Sequence, residues 1–164
     1  MNIYLLYLLS YVILFSVIDF FTNKFYKRIW HKKKYFQKIL LIFYLILHNI
    51  LYYCIYFTLP YILYYRNIIK INYLYLYLTL VILVPIHWIT YNNKCWLTVQ
   101  QNKLLEISED YGFRDFISIL FNLQTKSGDG GIRDTIYYLY LISCIIITIA
   151  LIFYKQNINF LNKS

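Results

Sequence analysis

Four times along the chain a long uncharged apolar run gives way to a short polar stretch. Residues 3–21, IYLLYLLSYVILFSVIDFF, form the first run and carry one acid, Asp19, near their end. Residues 39–65 give the second, 27 residues without a formal charge; residues 73–90 give a shorter third, and residues 135–154, TIYYLYLISCIIITIALIFY, the fourth. A helix needs roughly 20 apolar residues to cross a hydrocarbon core, so each run predicts a transmembrane helix. INYLYLYLTL at 71–80 alternates like a strand, but a lone strand leaves its backbone unsatisfied in lipid, and helix is the expectation. The first run has no basic flank before it and no small-residue cleavage site, so it reads as a retained anchor.

The polar stretch at 91–134 is the one long enough to hold structure of its own. Thr98 and Gln101 have the spacing of a capping box and Gly112 stands where a helix would stop, which predicts a helix over 99–111. FRDFISILFNL follows, with Phe113, Phe116, Ile117, Leu120 and Leu123 recurring at helical spacing. That pattern suits an amphipathic helix at the membrane surface or one packed beneath the spans. TKSGDGGIRD lacks the Gly-Lys-Ser/Thr ending of a nucleotide loop and reads as a return linker. The expected fold is therefore all-α: one polytopic domain over 1–164, with four transmembrane helices and an amphipathic helical cytoplasmic loop.

Composition reinforces this. The chain is 61% hydrophobic and 14% charged, against about half and about a quarter in soluble domains. The net charge of +9 is not spread over a soluble face. It sits beside the apolar runs, which argues for membrane topology and against specific nucleic-acid binding. Residues 22–38 hold Lys24, Lys27, Arg28, Lys32, Lys33, Lys34 and Lys38 with no acid, and the 91–134 stretch adds Lys94, Lys103, Arg114, Lys126 and Arg133. The opposite side has Arg66, Lys70, Lys155 and Lys163. Twelve basic residues against four places both basic stretches in the cytoplasm and both termini outside it. Tyr and Trp gather near the ends of the runs, as interfacial anchors do. Pro60 and Pro85 free the carbonyls of Tyr56 and Val81 and should kink their helices. The abundance of Tyr, Ile, Asn, Lys and Phe beside a single alanine, Ala150, points to an A/T-rich genome. Cys54, Cys95 and Cys144 are too scattered for a disulfide framework.

PIHWITYNNKCWLT, residues 85–98, is the densest cluster of distinctive side chains. Its residues divide into a kink (Pro85), anchors (Trp88, Trp96), groups able to meet freed carbonyls (Asn92, Asn93), a hydrogen-bonding His87, and a cap (Thr98). With Cys95 they form a candidate structural joint between the third span and the next helix. Zinc needs three or four ligands, and His87, Cys95 and a distant His31 show no ligand spacing. His48 and His87 lie at different depths, which disfavours haem, so no metal, cofactor or catalytic residue is assigned. Lipidation of the juxtamembrane Cys95 is a competing reading of the same stretch.

HWITYNNKCWLT, residues 87–98, resembles a His-Trp, Asn-Asn, Cys-x-Leu-Thr pattern in uncharacterised small multi-span membrane proteins of giant DNA viruses and of related protist and bacterial families. The matching residues are His87, Trp88, Asn92, Asn93, Cys95, Leu97 and Thr98, with Gln101 where the pattern more often has Glu. The resemblance implies a membrane fold and a virion or host endomembrane in preference to an organelle inner membrane; it implies no activity.

The expected function is a non-enzymatic structural or accessory one. Lys27, Arg28, Lys32, Lys33 and Lys34 would meet anionic lipids or an acidic partner, such as capsid or the other subunits of a membrane complex. An accessory subunit of an organellar complex is the competing expectation. A small membrane enzyme or transporter using Asp19 and His87 is a third, although the spans lack the glycines of broken transport helices.

Overall fold

In the computed structural model, the described residues are 3–91, 94–114, 118–119 and 132–161, with side chains described for 136–157 of the last segment. They form α1 (Ile3–Thr22), α2 (Lys24–Ile29), a 3-10 turn (Trp30–Lys32), α3 (Tyr35–Tyr64), α4 (Ile71–Thr90), α5 (Trp96–Leu105) and α6 (Ile132–Leu161). The fold is all-helical among these residues. Among the described residues, four segments are long and apolar enough to cross a membrane: α1, α3, α4 and the Ile136–Asn157 part of α6. All four expected runs are thus helices, and the alternating INYLYLYLTL stretch is one of them. At 1.5 Å per residue the 30-residue α3 is about 45 Å long, against a hydrocarbon core of about 30 Å. Its ends have length to spare for the interfaces.

Local chemistry sets the boundaries. Asn23 ends α1 and starts α2: its backbone is extended, at φ −77° and ψ 116°, and its side-chain oxygen accepts from the Phe25 N–H at 2.9 Å. The first basic stretch is therefore not an open loop. KFYKRI is helical, burying Tyr26 and Ile29. α5 begins earlier than expected, with Cys95 as N-cap and the Val99 N–H donating to the Cys95 carbonyl at 3.0 Å. It also ends earlier, at Leu105, because Glu106 turns left-handed at φ 53°. The Glu106 and Ile107 N–H groups then donate to the carbonyls of Lys103 and Asn102, at 3.3 and 3.1 Å, the double bond of a Schellman close. The Asn102 amide fixes the chain beyond by donating to the carbonyls of Ser108 and Tyr111, at 3.2 and 2.7 Å. Gly112 is not the stop.

The described residues group into two compact units. One comprises those of 1–54 and 88–129, and its apolar centre is Tyr11, Val12 and Tyr53, flanked by Tyr4, Leu8, Phe15 and Ile50. Here α1 meets α3 through the Asn49 amide, which donates to Ser16 Oγ at 3.0 Å. The other unit comprises the residues of 55–87 and 130–164, with Ile55, Leu59, Ile62, Leu74, Tyr77, Val81, Leu141 and Cys144 buried. Pro60 stands inside α3 and removes the amide that would reach the Tyr56 carbonyl. The Tyr140 hydroxyl lies 2.9 Å from that carbonyl and 3.2 Å from the Ile55 carbonyl, to which the Tyr77 hydroxyl also donates at 3.2 Å. The carbonyl freed by the proline is thus met from α6.

Outside these centres the spans are apolar outward. Ile13, Phe21, Leu76, Ile89 and Phe153 are each more than three-fifths exposed. Between 17% and 39% of each span's most apolar window is buried. A soluble protein seldom leaves so much contiguous apolar surface in water.

Candidate functional site

The first unit holds a group of buried polar side chains drawn from α1, α2, α3, α5 and the chain that follows α5. Asp19, in the last turn of α1, is 1% exposed, and its Oδ1 lies 3.2 Å from Nη1 of Arg114, itself 6% exposed. The same guanidinium nitrogen lies 3.4 Å from Thr22 Oγ1, and the Asn23 amide reaches Asp19 Oδ1 at 3.5 Å. Arg114, counted in the sequence only as a marker of sidedness, is thus the ion-pair partner of the one acid in the first run. Two charges leave water together at a high desolvation cost, so their mutual contact is what makes both burials tolerable.

Gln101 does not complete a capping box. Its Nε2 donates to the Tyr26 hydroxyl oxygen at 2.6 Å, linking α5 to α2. Burial first, and the neighbouring Asp19 carboxylate second, hold the Tyr26 phenol well above its ordinary pKa, with the Gln101 hydrogen bond opposing. Tyr26 is therefore a neutral strut. Thr98 does not cap either. It is buried within the helix, and its hydroxyl meets His48 Nε2 at 3.0 Å. His48 Nδ1 faces the Tyr44 carbonyl at 2.9 Å. A carbonyl only accepts, so Nδ1 carries the proton and Nε2 accepts from Thr98. Phe113 stacks on the His48 ring at 4.0 Å and 8°. Both ring nitrogens are engaged and one face is covered, which suits anchoring better than ligation.

Around the ion pair, three buried atoms have no hydrogen-bond partner among the described residues: Asp19 Oδ2, Gln101 Oε1 and Arg114 Nε. All three residues line one small cavity of about 20 Å³, together with Asn23, Asn102 and Tyr111. Two acceptors and one donor around such a volume are the complement of a single water molecule. The space is too small for an organic substrate. Among the described residues, no three His, Cys, Asp or Glu side chains gather as a metal site.

The expected joint is therefore distributed differently. Pro85 lies inside α4, with His87 and Trp88 half-buried near its end. Cys95 provides the N-cap position and is partly exposed, and Thr98 is a buried link to α3. Asn92 and Asn93 lie outside the described residues, as do Phe116, Ile117, Leu120 and Leu123 of the expected amphipathic helix and the linker residues 125–131. Phe113 and Arg114 from the start of that segment point inward.

The expected lipid contacts also divide. Lys27, Arg28, Lys32 and Lys34 are exposed, joined by Lys24. Lys33 differs: its side chain is 7% exposed and its ammonium engages Glu106. That hydrogen bond and charge hold the Glu106 carboxyl below the usual range. The α2 cations face two ways, Lys24 and Arg28 over the Phe25 ring at 5.4 and 5.6 Å, and Lys27 on the side of Trp30 and His31. No family model, curated protein or solved structure matches this chain.

Proposed function

We propose that the chain is a multi-pass membrane protein of structural or accessory type, which presents the basic surface of α2 to anionic lipid headgroups. One observation carries this reading. The short helix after α1 buries Tyr26 and Ile29 and leaves Lys24, Lys27 and Arg28 exposed; Lys32 in the turn that follows and Lys34 just beyond it are exposed too, with Tyr35 and Phe36 80% and 68% exposed beside them. Cations flanked by outward aromatic side chains at the end of an apolar helix match the chemistry of a headgroup layer. The buried polar group then has a mechanical role. It ties α5 and Arg114 to α1, α2 and α3, so that the basic surface rests on a fixed support.

The Lys/Arg asymmetry supports a cytoplasmic position for this surface, and the 87–98 pattern with the A/T-rich residue usage supports a viral or protist origin. Each cation near an anionic leaflet contributes about 1 kcal/mol, screened over about 10 Å at 0.1 M salt. The test is the association of spin-labelled phosphatidylserine relative to phosphatidylcholine with the reconstituted protein. Preference for the anionic lipid should be clear at low salt and decline steeply as salt rises. Changing Lys24, Lys27, Arg28, Lys32 and Lys34 together to Gln should remove most of it. A preference unaffected by salt and by the five changes would refute the reading; an acidic protein partner would then be the occupant to seek.

A further inference from the structure

Beside α2 is a cavity of about 330 Å³ lined by Phe20, Phe21, Tyr26, Lys27, Trp30 and His31. We infer that it is a selective site for one anionic glycerophospholipid, its upper acyl chain against the aromatic walls and its phosphate at Lys27 and His31. This rests on the proposed membrane location and basic surface, and adds to them a single site of defined shape.

The walls come from two elements. Phe20 and Phe21 end the apolar α1, while Tyr26 and Trp30 follow the break at Asn23. Phe20 holds the set together: its ring centroid is 4.8 Å from Trp30 and 5.5 Å from Tyr26. Phe21 is 63% exposed and supplies an open wall on the side where α1 would meet lipid. At the other end the donors are polar. Lys27 and His31 are four residues apart, both exposed, and Lys38 lies over the Trp30 ring at 5.4 Å. The ligand must therefore be apolar at one end and anionic at the other. Small-molecule sites run from about 300 to 1,000 Å³, so this one admits a segment of a lipid, not the whole. Acidic side chains are absent from 22–38, and the two acids that reach this stretch, Asp19 and Glu106, are taken up by Arg114 and Lys33. Charge complementarity thus favours a phosphate.

Native mass spectrometry of the full chain, released from nanodiscs of mixed phosphatidylcholine and phosphatidylserine, tests the site. The expected result is one phosphatidylserine retained per chain after the other lipids are stripped. The double variant Lys27→Gln/His31→Gln should lower that occupancy at least about fivefold, the equivalent of one cation near an anionic surface. Phe21→Ala, which alters no charge, should lower it as well. Lys24→Gln/Arg28→Gln removes more formal charge from the Phe25 side of the same helix and should leave the adduct in place. If the Lys24/Arg28 variant loses the adduct at least as strongly, attraction is diffuse; the site is overturned while the basic-surface reading stands. The site is likewise overturned, and the basic surface kept, if the wild-type chain holds no single lipid yet retains salt-sensitive preference for phosphatidylserine. Absence of any such preference overturns both.

Discussion

Arg114→Met removes the cation from the buried pair while keeping a long apolar stem. Asp19 then remains 1% exposed, left with the Asn23 amide at 3.5 Å. An exposed ion pair contributes about 0–1 kcal/mol, whereas breaking a buried one costs about 3–5 kcal/mol because a charge stays behind in a poor solvent. The exposures of 6% and 1% select the second regime. Asp19→Asn should be at least as damaging, since a guanidinium cannot shed its charge. Changing both residues should cost much less than either change alone, because no unpaired charge is left. The assay is reversible unfolding in mixed micelles of increasing denaturing-detergent fraction, followed by the fluorescence of Trp30, Trp88 and Trp96. A coupling free energy of about 2 kcal/mol or more is expected from the four-protein cycle. Additive effects, or a loss below about 1 kcal/mol for Arg114→Met, would show the pair to be solvated and remove the central tie of the first unit.

Tyr140→Phe should destabilise the second unit by about 1 kcal/mol by orphaning the Tyr56 carbonyl, and Pro60→Ala in that background should recover most of the loss by restoring a helical amide; failure of the recovery in the same unfolding assay would refute the assignment. Thr98→Val should cost about 1–2 kcal/mol by leaving His48 Nε2 without its donor, whereas Thr98→Ser should be mild; equal losses would indicate that the methyl group matters and the hydroxyl does not. Glu106 has a folded-state pKa below its ordinary value, so its stabilising contact with Lys33 is complete above the usual carboxylate range and lost as pH falls through the lowered value. Glu106→Gln should flatten that part of the acid unfolding profile, and an unchanged profile would contradict the ion pair. Single cysteines at Lys32 and Asp129 should label from one side of the membrane and one at Asn159 from the other; labelling of positions 32 and 159 from the same side would invert or break the proposed topology.

The four long helices were legible because a long uncharged run has one regular form that satisfies its backbone in an apolar setting, the helix. The Tyr56 carbonyl was legible as freed, since Pro60 acts on a fixed residue four positions back. Its partner was not, because nothing in a run of aromatic residues marks Tyr140 as the one that reaches it. Arg114 was hidden for the same reason: it lies 95 positions after Asp19, and a charge in a polar stretch reads as surface. α2 had a signal that charge obscured. Asn23 precedes apolar residues at 26, 29 and 30, a capped helical stripe too short to stand without packing. Thr98 and Gln101 misled because a capping-box spacing also describes two residues on one buried face. The helix begins at Trp96, which turns both side chains inward.

These departures have a common physical origin. Hydrophobic burial gives little drive for association between apolar helices already in lipid, so specificity falls to packing and to polar contacts between them. The first unit has contacts of that kind: Ser16 to Asn49, Asp19 to Arg114, Tyr26 to Gln101 and His48 to Thr98 each join a different pair of segments. Of the residues that a sequence reading marks as chemically suggestive, Asp19 and His48 are then consumed by assembly, while His87 lies half-buried near the end of α4. What remains exposed and unpaired by acids on α2 is cationic, and this is why the basic surface carries the functional proposal while the buried polar group carries the fold.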